Sequence, residues 1–139
     1  MTPTRITAPA GVHPSDGYAH AVTGTGRIVA LAGQLPLAPD GTFVGAGDPE
    51  AQARQMFENL RNCLAAAGAT FANLIRLNYF LTDIAHVPVV LSVRDEFIDP
   101  AHLPASTVVQ GHRPVPPGPP HGDRRAGPPG LDRSCCDSA

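Results

Sequence analysis

The stretch that decides the fold is residues 48–82, DPEAQARQMFENLRNCLAAAGATFANLIRLNYFLT. Its first half reads as a helix. Asp48 is a good N-cap, Pro49 suits the first helical position, and Glu50 complements the helix dipole. Met56, Leu60, Cys63 and Ala67 recur at i, i+4, i+7 and i+11, which is one face of a helix, and Phe57 and Leu64 widen that face. Gly68 stops it. Cys63 on this face reads as core, with no His or Arg placed to activate its thiol. The second half changes period. Across Asn73–Thr82, Ile75, Leu77, Tyr79 and Leu81 share one side of a strand, while Leu74, Arg76, Asn78, Phe80 and Thr82 share the other. The first side wants a helix layer. The second is mixed, as expected of a sheet face that meets a partner subunit.

Working outward, Gly17–Gly33 reads as a hairpin. Tyr18–Val22 forms one arm, Thr23-Gly24-Thr25-Gly26 the turn, and the β-branched run Arg27–Gly33 the other arm. Pro39-Asp40-Gly41 marks a turn before a short extended Thr42–Val44. Downstream, Asp83–Asp99 is a second helix with Pro88 near its start and an inner edge of Val90, Val93, Arg94 and Phe97; Asp99-Pro100 closes it. Ser106–Gln110 then begins another strand. Strand, strand, helix, strand, helix, strand predicts an α+β fold in which two helices pack on one face of a mixed sheet.

Composition sets the boundaries. The chain has 139 residues, enough for one domain, and is 42% hydrophobic, enough for a core. No run of about 18 apolar residues exists to span a membrane. Met1–Pro14 lacks a continuous apolar stretch, so no signal peptide is expected and the cytoplasm is the default setting. All 10 basic residues are Arg, scattered among 12 acids, which disfavours nucleic acid as a partner. Cys63 alone and the adjacent pair Cys135-Cys136 make no disulfide framework. Residues 1–110 hold 9 Pro and 9 Gly, whereas the 29 residues 111–139 hold 7 Pro and 5 Gly, with Val115 and Leu131 as the only large aliphatics. Such a segment cannot bury enough apolar area to offset chain entropy. A domain over 1–110 and a disordered tail over 111–139 are expected.

Chemistry is sparse. Thr23-Gly24-Thr25-Gly26 joins two strands and reads as a turn, not a phosphate loop. The six His have no metal-ligand spacing, so neither metal nor cofactor is expected. No nucleophile elbow is present. His20 and Tyr18, two residues apart on one strand face, are either half-buried packing or a substrate-facing pair.

The ordered set Gly17-Tyr-Ala-His-Ala-Val22, Ala32-Gly-Gln-Leu-Pro36, residues 48–60, Ala65-Ala-Ala-Gly-Ala69, Tyr79-Phe-Leu-Thr-Asp83 and Leu103-Pro-Ala-Ser-Thr-Val-Val109 resembles the Rid family (reactive intermediate deaminase, YjgF-like, often labelled endoribonuclease L-PSP) over roughly residues 14–110. The resemblance implies a chorismate-mutase-like α+β unit, a homotrimer, and small-molecule clefts between subunits. It implies hydrolytic deamination of reactive imines or enamines, with water as nucleophile. Carried over residue by residue, the cleft would include Tyr18, Gly33, Ser106 and Val108 as binding residues, with no catalytic side chain assigned. Ala32 replaces the family Ser. Ser106, in Pro104-Ala105-Ser106, replaces the Arg that clamps the substrate carboxylate. The family's last-strand Glu has no counterpart. These departures favour, as the alternative, a non-catalytic Rid-fold trimer that binds a metabolite or a partner protein. A ribonuclease reading lacks both a basic patch and a His/Glu pair.

The break at Gly111 has a further reading. Back-translated with degenerate codons and read from the second base, Gly111–Arg125 permits V-T-A-L-F-R-P-D-L-L-T-E-I-D, a strand-like sequence that carries a Glu and is similar to the family ending. Residues 111–139 therefore read as an out-of-frame tail.

Overall fold

The computed structural model describes residues 2–112 and the backbone of Cys136–Ser138. Helix α1 runs Pro49–Ala66 behind the expected cap: Asp48 is extended and its carboxylate accepts the Ala51 N–H at 3.1 Å. Gly68 ends it in the left-handed region at φ 71°. Replacing Asp48 by Ala is expected to cost about 1 kcal/mol of stability in denaturant titration, because one orphan amide loses its partner; an unchanged midpoint would contradict that role. Just upstream, Gly45 has φ 76°, and a Cβ there would stand 2.9 Å from both the Ala51 side chain and the Gln52 amide. Only Gly lets the loop approach α1 closely enough for the buried Gln52 side chain to donate to the Gly45 carbonyl, at 2.6 Å.

Strand β3, Arg76–Leu81, alternates as read: Leu77, Tyr79 and Leu81 are buried, whereas Arg76 and Phe80 are exposed. The second helix, α2, is Val87–Phe97, shorter than Asp83–Asp99 because a 3-10 turn at Ile84–His86 precedes it. It buries Val90, Val93 and Arg94. Strand β4, Ala105–Gln110, returns parallel to β3 with Leu77 opposite Ser106 and Tyr79 opposite Val108. The β3–α2–β4 crossover fixes the layer order, with both helices on the Leu77/Tyr79/Leu81 face. Phe57 of α1 stacks on Phe97 of α2 with ring centroids 5.4 Å apart, and Phe71 closes the group at 6.3 and 6.0 Å. Outside, Arg54 ties Glu50 to Glu96 across the helix pair, a surface contact of little energetic weight.

The first third departs from the sequence reading. The hairpin over Gly17–Gly33 does not form. Strand β2 is Ala21–Thr23 and pairs antiparallel with β1, Thr4–Ile6, which the sequence reading did not anticipate. Arg27–Gly33 forms no strand, and Ile28 is 85% exposed. β-branched residues favour a local conformation but do not supply a pairing partner, and the strand paired with β2 is β1. Thr42–Val44 contributes one bridge, Phe43 to Leu37. Asn73 belongs to a 3-10 turn, so β3 starts three residues later than read, and Ile75 is left half exposed. Cys63 is half-buried rather than core.

The sheet's third strand comes from an unexpected place. β5, Cys136–Ser138, pairs antiparallel with Leu81, Phe80 and Tyr79, giving the order β4-β3-β5 and a mixed sheet. The expectation of a disordered tail falls mainly on residues 113–135, which lie outside the described residues.

Candidate functional site

The Tyr18 segment reaches β4 through one bridge. Ala19 pairs parallel with Ala105, and its N–H donates to the Pro104 carbonyl at 3.0 Å. Tyr18 and Ser106 therefore sit on adjacent stretches of chain, each next to the Ala19/Ala105 pair. By register, Ser106 and Val108 stand on the sheet face of Leu77 and Tyr79. Both are half-buried, and Val108 packs on the core. The Ser106 hydroxyl donates to the Pro104 carbonyl at 3.3 Å. Gly33 is exposed in the 27–33 segment.

The segment holding Tyr18 is tied at several points. Ser15 Oγ donates to the Tyr18 carbonyl at 2.6 Å and the Ser15 N–H to the Thr7 carbonyl at 2.8 Å. The His20 N–H donates to Ile6 at 2.9 Å. From α2, Arg94 Nη1 donates to the Gly17 carbonyl at 2.7 Å, while Nε and Nη2 hold Asp95 at 2.9 and 2.7 Å. Gly17 has φ 76°, and a Cβ there would meet the Arg94 guanidinium at 3.6 Å. The sequence reading placed Arg94 on the inner edge of its helix but missed this role. The signal was an Arg, 6% exposed in the fold, at a position otherwise fit for an aliphatic. Beneath it, burial pushes the Tyr79 phenol well above its usual range, and the nearby Arg94 offsets part of that shift.

On the outer side, the Tyr18 and His20 rings meet edge to face with centroids 5.2 Å apart. His20 Nε2 lies 2.8 Å from the His13 carbonyl oxygen. A carbonyl only accepts, so Nε2 carries the hydrogen and Nδ1 of the neutral ring is left as the acceptor. Among the described residues no group of three or more His, Cys, Asp or Glu could hold a metal, and no helix is long and apolar enough to cross a membrane.

The comparisons with known proteins agree with this architecture. The family model described as endoribonuclease L-PSP matches residues 7–117. The chain is 36% identical over 104 residues to protein DfrA of Myxococcus xanthus, covering 74% of this chain and 76% of that one. It is 28% identical over 109 residues to a protein of Dermatophagoides farinae named 2-iminobutanoate/2-iminopropanoate deaminase, covering 78% and 84%. Among solved structures, the Yersinia pestis protein YyfB, titled a protein of unknown function of the conserved Rid family, superposes with a TM-score of 0.79 at 25% identity, over 99% of this chain and 96% of that one. The chain belongs to the Rid family, the group also described as endoribonuclease L-PSP.

Proposed function

We propose that this protein is a Rid-type hydrolase that releases ammonia from reactive imines or enamines, with a weakened grip on free 2-imino acids. Family membership and a relative named as an imine deaminase support the reaction class. Position 106 supports the weakened grip. Ser cannot form a bidentate pair with a carboxylate, and its hydroxyl is already engaged by Pro104. Tyr18, Gly33, Ser106 and Val108 are the proposed binding residues. The ligand cleft lies between subunits of a homotrimer in the cytoplasm, and no metal, cofactor or nucleic acid takes part.

The same Ser106 favours a second reading, a non-catalytic trimer that binds a metabolite or partner protein. Generating 2-imino acids in situ with an amino-acid dehydratase separates the two. Ammonia release slow but clearly above buffer is expected, from a species sedimenting as a trimer. Release equal to buffer leaves the non-catalytic reading, and a stable monomer contradicts the intersubunit cleft. We further propose that residues 111–139 are out of frame, on the strength of the composition break at Gly111 and the strand permitted one base further on.

A further inference from the structure

We infer that His20 is the proton-transfer residue of the Tyr18 cleft, acting through Nδ1; this rests on the hydrolytic reading above. Three observations place it there. The His13 carbonyl fixes the Nε2–H tautomer. The near-perpendicular contact with the Tyr18 ring, centroids 5.2 Å apart, orients the imidazole. The Ala19–Ala105 bridge, one residue back, sets the segment beside Ser106. Residues 13–20 are tied to β1, α2 and the start of β4, so the imidazole sits on a fixed support, as general acid–base chemistry requires. His20 is half-buried, so its ring is partly exposed to water.

The chemistry balances without a co-reactant. As water attacks the imine carbon, the C–O bond forms, the C=N π pair moves to nitrogen, and His20 Nδ1 takes one proton of the water. The imine nitrogen gains a proton from solvent, giving a neutral carbinolamine and imidazolium. Imidazolium then protonates the amino group, the hydroxyl proton passes to solvent, C=O forms, and the C–N bond breaks to release ammonia. The sum is imine plus water to ketone plus ammonia. The ionisable groups around His20 are His13, Asp16 and Tyr18 on its own segment, Arg5 on β1, and the Arg94–Asp95 pair on α2. Arg5 is committed to the Pro3, Ala72 and Leu103 carbonyls, and Arg94 to Gly17 and Asp95. None of these contacts occupies His20 Nδ1.

The test is His20→Gln, because the Gln amide can still donate to the His13 carbonyl but cannot take a proton. Expected are a fall in kcat of about 100-fold with KM nearly unchanged, loss of the acidic limb of the pH–rate profile, and an unchanged melting temperature. If the wild-type protein releases ammonia and His20→Gln keeps its rate and pH profile, the inference is overturned while the hydrolytic reading stands. If the wild-type protein releases none, the hydrolytic reading and this inference fall together. If His20→Gln melts early, rates are compared per folded molecule for it and for His20→Asn: variants as active per folded molecule as the wild-type protein, with its pH profile, overturn the inference, and a fall of about 100-fold in both upholds it.

Discussion

Shifting the reading frame by one base after the codon for Gln110 is expected to raise soluble yield sharply and lift the melting temperature by more than 10 °C. β3 is flanked along its whole length by β4, but on its other edge only Tyr79, Phe80 and Leu81 have strand partners, from β5. Arg76, Asn78 and the buried Leu77 have none on that side among the described residues. Residues 111–125 as written carry Pro at 114, 116, 117, 119 and 120, and Pro has no N–H to give a central strand. The shifted frame permits a run with alternating apolar positions. Burying even three or four large apolar side chains, at about 1.5–3 kcal/mol each, is comparable to the whole stability margin of about 5–15 kcal/mol. In a domain of this size about 1 kcal/mol moves the midpoint by roughly 4–8 °C. Expressing both frames and comparing thermal unfolding decides the matter. An equally cooperative, equally soluble protein from the sequence as written would sink the frame argument and make Gly111–Ala139 a functional segment in its own right.

What was legible in the sequence was whatever depends on local period and caps. α1, its Asp48 cap, its Gly68 stop, and the alternation of Leu77, Tyr79 and Leu81 are set by neighbours within a few residues, and they stand where they were read. Pairing was not legible. The residue types of Arg27–Gly33 favour a strand, but the strand that pairs with β2 is β1, a three-residue strand with no periodic signature of its own. The same holds for β5. For the site, the motif order gave Tyr18, Ser106 and Val108, and the register of β4 brings two of them to one sheet face. The supports were hidden. Arg94 lies 77 residues from the Gly17 carbonyl it holds, and the Nε2 tautomer of His20 depends on a backbone oxygen rather than on any side chain.

Ser106→Arg, made in the frame-shifted gene, is expected to raise kcat/KM for a carboxylate-bearing imine by about tenfold or more. Position 106 pairs with Leu77 in the parallel register and directly follows Ala105, which bridges to Ala19 beside Tyr18. The Ser hydroxyl gives up only one long contact, to Pro104 at 3.3 Å, so little is lost when it goes. A guanidinium offers two parallel N–H donors to a carboxylate, and hydrogen bonds to charged groups are worth about 1.5–3 kcal/mol, which corresponds to roughly 10- to 100-fold. Both the imine and the transition state carry the carboxylate, so the gain falls mainly on KM. A matched imine lacking the carboxylate, such as one made from an amino-acid ester, controls for general changes in the pocket. The variant gains on the acid and not on the ester if position 106 is the clamp. Equal rates on both substrates, unchanged from Ser106, would mean that the carboxylate does not pass this strand and that the ligand is held from another side of the cleft.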